Sequence, residues 1–300
     1  MSNHNTLSHG SEEYIKEHTW KDKSFFVVLK QFSRNKTALT GLTIMFFLIL
    51  ISALAPVLAT HNYVQVNPLQ ANQAPSSLHW FGTDSLGRDI FSRILWGGRY
   101  SLLIGVGAEV MGQVFVITLG SCAGYFGGKV DNIIMRVCDV FQSIPGELMC
   151  ICVSQALGAG FIPTMAALAI TGVPGGVRLL RATILNVRDQ QFVEAAQAIG
   201  CSKIRIMFKH ILPNSLAPLL VGISSGIGGK IMASAGLSFI GLGIQEPLPE
   251  WGAMIAAGKS FLRYYPHLVL IPGIFVAITV LCYNLIGDGL RDALDPKLRS

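Results

Sequence analysis

Six long, mostly apolar stretches run through this chain, at 39 to 59, 100 to 122, 133 to 157, 162 to 182, 215 to 243 and 267 to 287. A helix rising 1.5 Å per residue needs about 20 apolar residues to cross a hydrocarbon core of about 30 Å, so each stretch is expected to span a bilayer. A soluble helical fold would instead alternate apolar and polar faces. The mean hydropathy of +0.51 and a charged fraction of only 13% agree with lipid as the surrounding solvent. The expected fold class is therefore all-α integral membrane with six transmembrane helices. Glu109, Asp139, Glu147, Arg178, Arg181 and Lys230 are the main charged interruptions.

Orientation follows from Lys and Arg placement. Lys16, Lys21, Lys23, Lys30, Arg34 and Lys36 precede the first span, which predicts a cytoplasmic amino terminus and, after six crossings, a cytoplasmic carboxyl terminus. In that topology 17 of the 23 basic residues fall in cytoplasmic segments or at their membrane edges. Arg88, Arg93, Arg99, Lys259 and Arg263 lie outside, and Lys230 lies within a span. The net charge of +6 is thus a topology signal and calls for no nucleic acid. With 38 residues before the first span and no clear cleavage site after it, that span reads as a retained anchor.

The chain divides accordingly. Residues 1–38 form a cytoplasmic segment whose Phe25 to Leu29 stretch suits the inner membrane surface. Residues 39–59 are the first span, and 60–99 form an extracytoplasmic segment with turn-forming Asn67-Pro68 and Ala74-Pro75 pairs. A core follows at 100–290, interrupted by a long cytoplasmic connection at 183–214, and residues 291–300 form the tail. The six cysteines fall in spans or on the cytoplasmic side, so no disulfide is expected. Cys150 and Cys152 lack a partner cluster, so no metal site is expected. Glycines four residues apart, at Gly120, Gly124 and Gly128, Gly172 and Gly176, and Gly222 and Gly226, predict close helix packing.

The connection at 183–214 reads as two short helices, from Asp189 or Gln190 to Ile199 and from Ser202 to Leu212. Gly200 supplies the bend, Ser202 the cap of the second helix and Pro213 its end. At a regular helical period Ile204, Phe208 and Ile211 share a face while Lys203, Arg205 and Lys209 point elsewhere, a pattern suited to docking on another protein.

Glu194-Ala195-Ala196-x-x-x-Gly200, followed after nine residues by His210-Ile211-Leu212-Pro213, resembles the EAA loop of ATP-binding-cassette (ABC) importer permeases. The resemblance implies a type I ABC importer permease fold in which this loop forms coupling helices seated in a groove of a cytoplasmic ATPase. Small Ala195 and Ala196 would permit close contact, Gly200 would set the bend and Glu194 would anchor by charge or hydrogen bond. Ser202, Lys203, Arg205, His210, Leu212 and Pro213 complete the implied coupling set. Outside, His79-Trp80-Phe81-Gly82-Thr83-Asp84-Ser85-Leu86-Gly87-Arg88-Asp89-Ile90-Phe91-Ser92-Arg93 is similar to the hallmark of the second permease subunit of dipeptide, oligopeptide and nickel importers. Asp84, Arg88, Asp89 and Arg93 can pair locally in this glycine-containing turn, which either stiffens the segment or helps receive substrate. Leu237 to Gly243 with Pro247, Pro249, Trp251 and Gly252, and Gly287 to Asp292, are similar to further segments of that branch.

Three residues depart from the branch. Ser234 stands where relatives often carry Glu, and Glu109 and Lys230 are charges the resemblance does not explain. Buried charge in a span is costly unless it meets water or a partner, so these residues are candidates for the pathway or a subunit interface, and Glu109 and Lys230 alternatively for compensating each other as an ion pair between helices.

The resemblance implies a multi-pass protein of the cytoplasmic (inner) membrane of a prokaryote, acting by alternating access. It implies a second homologous permease forming a heterodimer, two cytoplasmic ATPase subunits and an extracytoplasmic substrate-binding protein. The chain itself is expected to be non-catalytic and to bind no cofactor, with ATP and Mg at the ATPases. Di- and oligopeptides are the first expectation for substrate, and nickel or another metal chelate is the alternative. Gly228-Gly229-Lys230 lacks the leading Gly and following hydroxyl of a nucleotide-binding loop. His79, Asp84 and Ser85 sit too close in one turn to read as a catalytic relay. A channel or secondary transporter acting alone would explain the spans and leave the loop without a purpose.

Overall fold

In a computed structural model, residues 28–294 are described, and the statements below concern these. Phe25, Phe26 and Val27 of the amphipathic stretch, and the tail from 295, lie outside them. The main helices are α1 Lys36–Ala53, α2 Ile90–Phe126, α3 Gly128–Gln142, α4 Gly146–Leu157, α5 Phe161–Arg188, α6 Gln191–Ala198, α7 Ala217–Phe239, α8 Trp251–Gly258 and α9 His267–Leu294. The described residues form no strand beyond one isolated bridge between Thr83 and Asp89. Helices α1, α2, α5, α7 and α9 are each long and apolar enough to cross a membrane.

The third expected span differs. Residues 133–157 do not form one straight helix: α3 and α4 meet at an 89° bend, and reach the length and hydropathy of a span only as a pair. Pro145 explains the break, because it offers no N–H to continue α3 and disfavours helical backbone at the residue before it. The second span starts earlier than expected. Helix α2 begins at Ile90, capped by Asp89 accepting the Ser92 N–H at 2.8 Å. Arg93, expected in the outer segment, is buried inside the helix with partners of its own. At 37 residues, α2 is about 55 Å long and must project beyond the hydrocarbon.

Packing centres on α2 against α5. A Cβ at Gly120 would lie 3.0 Å from the Leu180 Cβ, and one at Gly124 would lie 2.7 Å from Ile184 Cγ2. Gly176 gives the reciprocal opening, with Val116 Cγ2 2.6 Å from its added Cβ. Gly128 and Gly222 have nothing within 4 Å, so the glycine repeat is used for packing over only part of its length. The α5 charges pair across to α3: Arg178 reaches Asp139 at 2.7 Å, and Arg181 holds both oxygens of Asp131 at 2.5 Å. Phe46, Phe47, Leu103, Val110 and Ile274 remain exposed around the bundle, as lipid-facing side chains do. All six cysteines are free.

Candidate functional site

At the amino-terminal end of α2 the hallmark segment folds back into a charged knot. Arg88 Nε donates to Asp84 Oδ2 at 2.6 Å, and its guanidinium also clamps Glu246 with both terminal nitrogens. Arg93 Nη2 reaches the same Glu246 at 3.1 Å, and Arg93 Nε lies 3.7 Å from Asp84 Oδ2. Gly87 takes φ +73°, and a Cβ there would strike the Asn67 carbonyl at 1.8 Å, so the turn accepts only glycine. Asp89 does not pair with Arg93 as expected. Its carboxylate caps α2 and meets His79 Nδ1 at 2.9 Å. His61, His79 and Asp89 bring three potential metal-ligand atoms within 4.8 Å of one another, although the sequence suggested no such grouping. Phe81 meets Phe91 edge-on and Phe275 at a tilt, and Thr83 fixes the 70–73 backbone through its hydroxyl.

Glu246 was missed by sequence reasoning. Burial works to raise its carboxyl, but the hydrogen bonds from Arg88 and the charges of Arg93 and Arg88 outweigh that and hold it below the usual carboxylate range. Four residues on, Glu250 behaves oppositely. It caps α8 by accepting the Ala253 N–H at 2.8 Å and a Ser238 hydroxyl at 3.0 Å, and burial pushes its carboxyl up. Trp251 beside it is fully buried, with its indole N–H donating to the Ile94 carbonyl at 3.0 Å. Gly252 admits this corner, since its added Cβ would lie 2.3 Å from the Ala235 Cα. These contacts join the hallmark segment, the 237–243 segment and the Pro-Trp-Gly segment into one block.

At the other end of the bundle lies the connection between α5 and α7. Helix α6 and the bend at Gly200, with φ +79°, fall where expected, and Ser202 Oγ accepts the Arg205 N–H. The second helix is different: only Lys203–Arg205 is α-helical before Ile206–Ile211 opens into a π-helix, with the Leu212 N–H donating to the Met207 carbonyl. The wider turn breaks the expected common face. Ile204 and Phe208 are exposed while Ile211 is turned into the core. Pro213 does not end the helix but sits in the first turn of Leu212–Ser215, and the Asn214 amide donates to the His210 carbonyl. The two alanines also part, Ala195 facing out and Ala196 packing inward. Glu194 is exposed in the first turn of α6, where its charge suits the helix dipole.

The loop therefore has two faces. Val193, Ala196, Ile206, Ile211 and Leu212 share one buried cluster with Val177, Leu180 and Ile184 of α5 and Leu219 of α7. Phe192, Ile199, Ile204 and Phe208, beside exposed Lys203, Arg205 and Lys209, form an uncovered apolar and basic surface.

Inside the spans, Glu109 of α2 and Lys230 of α7 meet in an ion pair. The pair lines a cavity of about 240 Å³ walled largely by glycines of α2, α5 and α7. Gln113 donates to Glu109 at 2.6 Å, a partner the sequence reading overlooked despite its position one turn along α2. Ser234, one turn from Lys230, is buried outside this cavity, and its hydroxyl lacks a partner.

Residues 116–300 match the family model described as binding-protein-dependent transport system inner membrane component. Residues 24–75 match the N-terminal TM domain of oligopeptide transport permease C. The chain belongs to the binding-protein-dependent transport permeases. It is 43% identical over 289 residues to the dipeptide transport system permease protein DppC of Alkalihalophilus pseudofirmus, covering 96% of this chain and 93% of that one. The oligopeptide transport system permease protein OppC of Bacillus subtilis is 40% identical over 280 residues, with 93% and 90% covered. The glutathione transport system permease protein GsiD of Pectobacterium atrosepticum is 43% identical over 274 residues, with 90% of each covered. Among solved structures, the MetNI methionine ABC transporter in an inward-facing conformation has a similar fold, with a TM-score of 0.55 at 17% identity over 68% of this chain and 97% of that one. This permease is thus a multi-pass protein of the inner membrane with the type I ABC importer permease fold.

Proposed function

We propose that this permease imports di- and oligopeptides as half of a heterodimeric pathway, with a second homologous permease as the other half. The observation that carries the coupling is the two-faced 183–214 loop. Its inner face is continuous with the packing of α5 and α7, and its outer face is an apolar surface flanked by cations. One of two cytoplasmic ATPase subunits would seat on that outer face, and the pair would hold ATP and Mg. Their closure on ATP would displace the loop as a unit, because its buried side chains interlock with the spans, and so turn the pathway from one side to the other. ATP hydrolysis in this reading belongs to the ATPase subunits. Both termini and the loop lie on the cytoplasmic side in this reading, and the Asp84, Arg88, Arg93 and Glu246 knot faces outward, where an extracytoplasmic binding protein delivers substrate.

Peptide as the substrate is supported by the names of relatives at 40% identity and above, which transport dipeptides, oligopeptides and glutathione. The test is ATPase stimulation of the assembled transporter by its binding protein, loaded in turn with short peptides and with nickel chelates. Stimulation by peptide-loaded protein is expected. Stimulation by nickel chelates alone would overturn the peptide reading and leave the permease assignment intact.

A further inference from the structure

The Glu109–Lys230 pair is joined to a cavity, whereas the Arg178–Asp139 and Arg181–Asp131 pairs serve as braces between α5 and α3. Its site is also incompletely satisfied. An ammonium has three donors, and Lys230 uses two acceptors, Glu109 Oε2 and the Ala108 carbonyl at 3.3 Å. Gln113 gives its N–H to Glu109 Oε1, while its own carbonyl oxygen is buried with no partner. Beside the cavity there is thus a cationic donor in excess and an amide acceptor next to a carboxylate. Glycine at 226 makes this arrangement possible, since a Cβ there would approach Glu109 Oε2 to 2.7 Å, while Gly112 and Gly172 lie in ordinary contact range of Lys230 Nζ, 3.5 and 3.7 Å from an added Cβ. Gly176 and Gly222 extend the side-chain-free wall, and the cavity holds the volume of about eight waters.

We propose that Lys230, Glu109 and Gln113 form a subsite that takes the free ends of a zwitterionic peptide in transit. Lys230 donates to the α-carboxylate, and Glu109 with the Gln113 carbonyl oxygen accepts from the α-ammonium. A peptide entering the spans loses the hydration of both its charges. Exchanging one internal ion pair for two pairs with the substrate offsets that loss, and the internal pair re-forms when the peptide leaves. This inference rests on the peptide reading above and adds the chemical groups that are recognised.

The experiment measures equilibrium binding of alanyl-alanine to the assembled permease and ATPase complex in nanodiscs, without the binding protein. Alanyl-alanine amide and N-acetyl-alanyl-alanine serve as capped probes. The wild type is expected to bind the free dipeptide about tenfold or more tightly than either capped form, the scale of one charged hydrogen bond. Lys230→Met should abolish the preference for a free carboxylate, Glu109→Gln the preference for a free amine, and Lys230→Arg should retain both. The double variant Glu109→Gln/Lys230→Met leaves no unpaired buried charge, so it should assemble normally and discriminate at neither end. Equal weakening of free and capped peptides in the variants, or no discrimination by the wild type, would overturn the subsite. Either outcome would leave peptide-dependent ATPase stimulation untouched, so failure here is distinct from failure of the peptide reading.

Discussion

Glu246 and Glu250 lie four residues apart and have opposite electrostatic settings. Glu246 has its carboxyl lowered in the folded chain, so its contribution is present above the unfolded carboxylate pKa and is lost as pH falls through the lower folded value. Glu246→Gln should therefore reduce the melting temperature at pH 7, with the deficit shrinking toward pH 3. Glu250 has its carboxyl raised, so its contribution is complete below the unfolded pKa and is lost as pH rises through the folded value. Glu250→Gln should accordingly gain on the wild type between pH 4 and pH 8, whereas Glu250→Ala should lose about 1–2 kcal/mol of cap energy at low pH, a deficit that shrinks as pH rises. Thermal unfolding of the purified protein across that range checks both, and parallel pH profiles for the two Gln variants would contradict the assignment. The sequence exposed Asp84, Arg88 and Arg93 because they sit within one motif. It did not expose Glu246, because a contact across 158 positions leaves no local trace. The available signal was a pair of arginines facing too little negative charge once Asp89 is committed to capping α2.

At the level of elements, apolar length located the five helices long enough to span and residue chemistry located the cap at Ser202, whereas the bend in the third expected span and the capping role of Asp89 were not read from the sequence. Helical periodicity failed where the helix is not α. Placing Ile204, Phe208 and Ile211 on one face assumed 3.6 residues per turn, and the π-helix at Ile206–Ile211 carries Ile211 into the core. The bend at Gly200 is legible because its constraint is conformational: nothing stands within 4 Å of an added Cβ, yet φ is +79°. Gly200→Ala should thus cost about 1–2 kcal/mol locally, seen as faster amide exchange across 191–212 with the spans unaffected. Gly252 is limited by space, so Gly252→Ala should lower the yield of assembled transporter sharply, while Gly222→Ala should leave it unchanged. Equal yields for the two variants would show that the block at α7 and α8 is looser than its geometry indicates.

For the whole molecule, the two ends are built differently. The hallmark end is tied by ion pairs and caps across distant segments, while the loop end packs one face and leaves the other apolar and uncovered. The loop is where membership of a larger assembly was most legible, since its motif lies in one stretch of chain. The glycine-walled cavity was not, because it needs α2, α5 and α7 together. The most direct measurement is uptake of labelled dipeptide into proteoliposomes containing this permease, with its second permease, ATPases and binding protein added or withheld one at a time. Uptake that requires ATP and every partner is the predicted result. Uptake by the permease alone, without ATPase, would contradict the account.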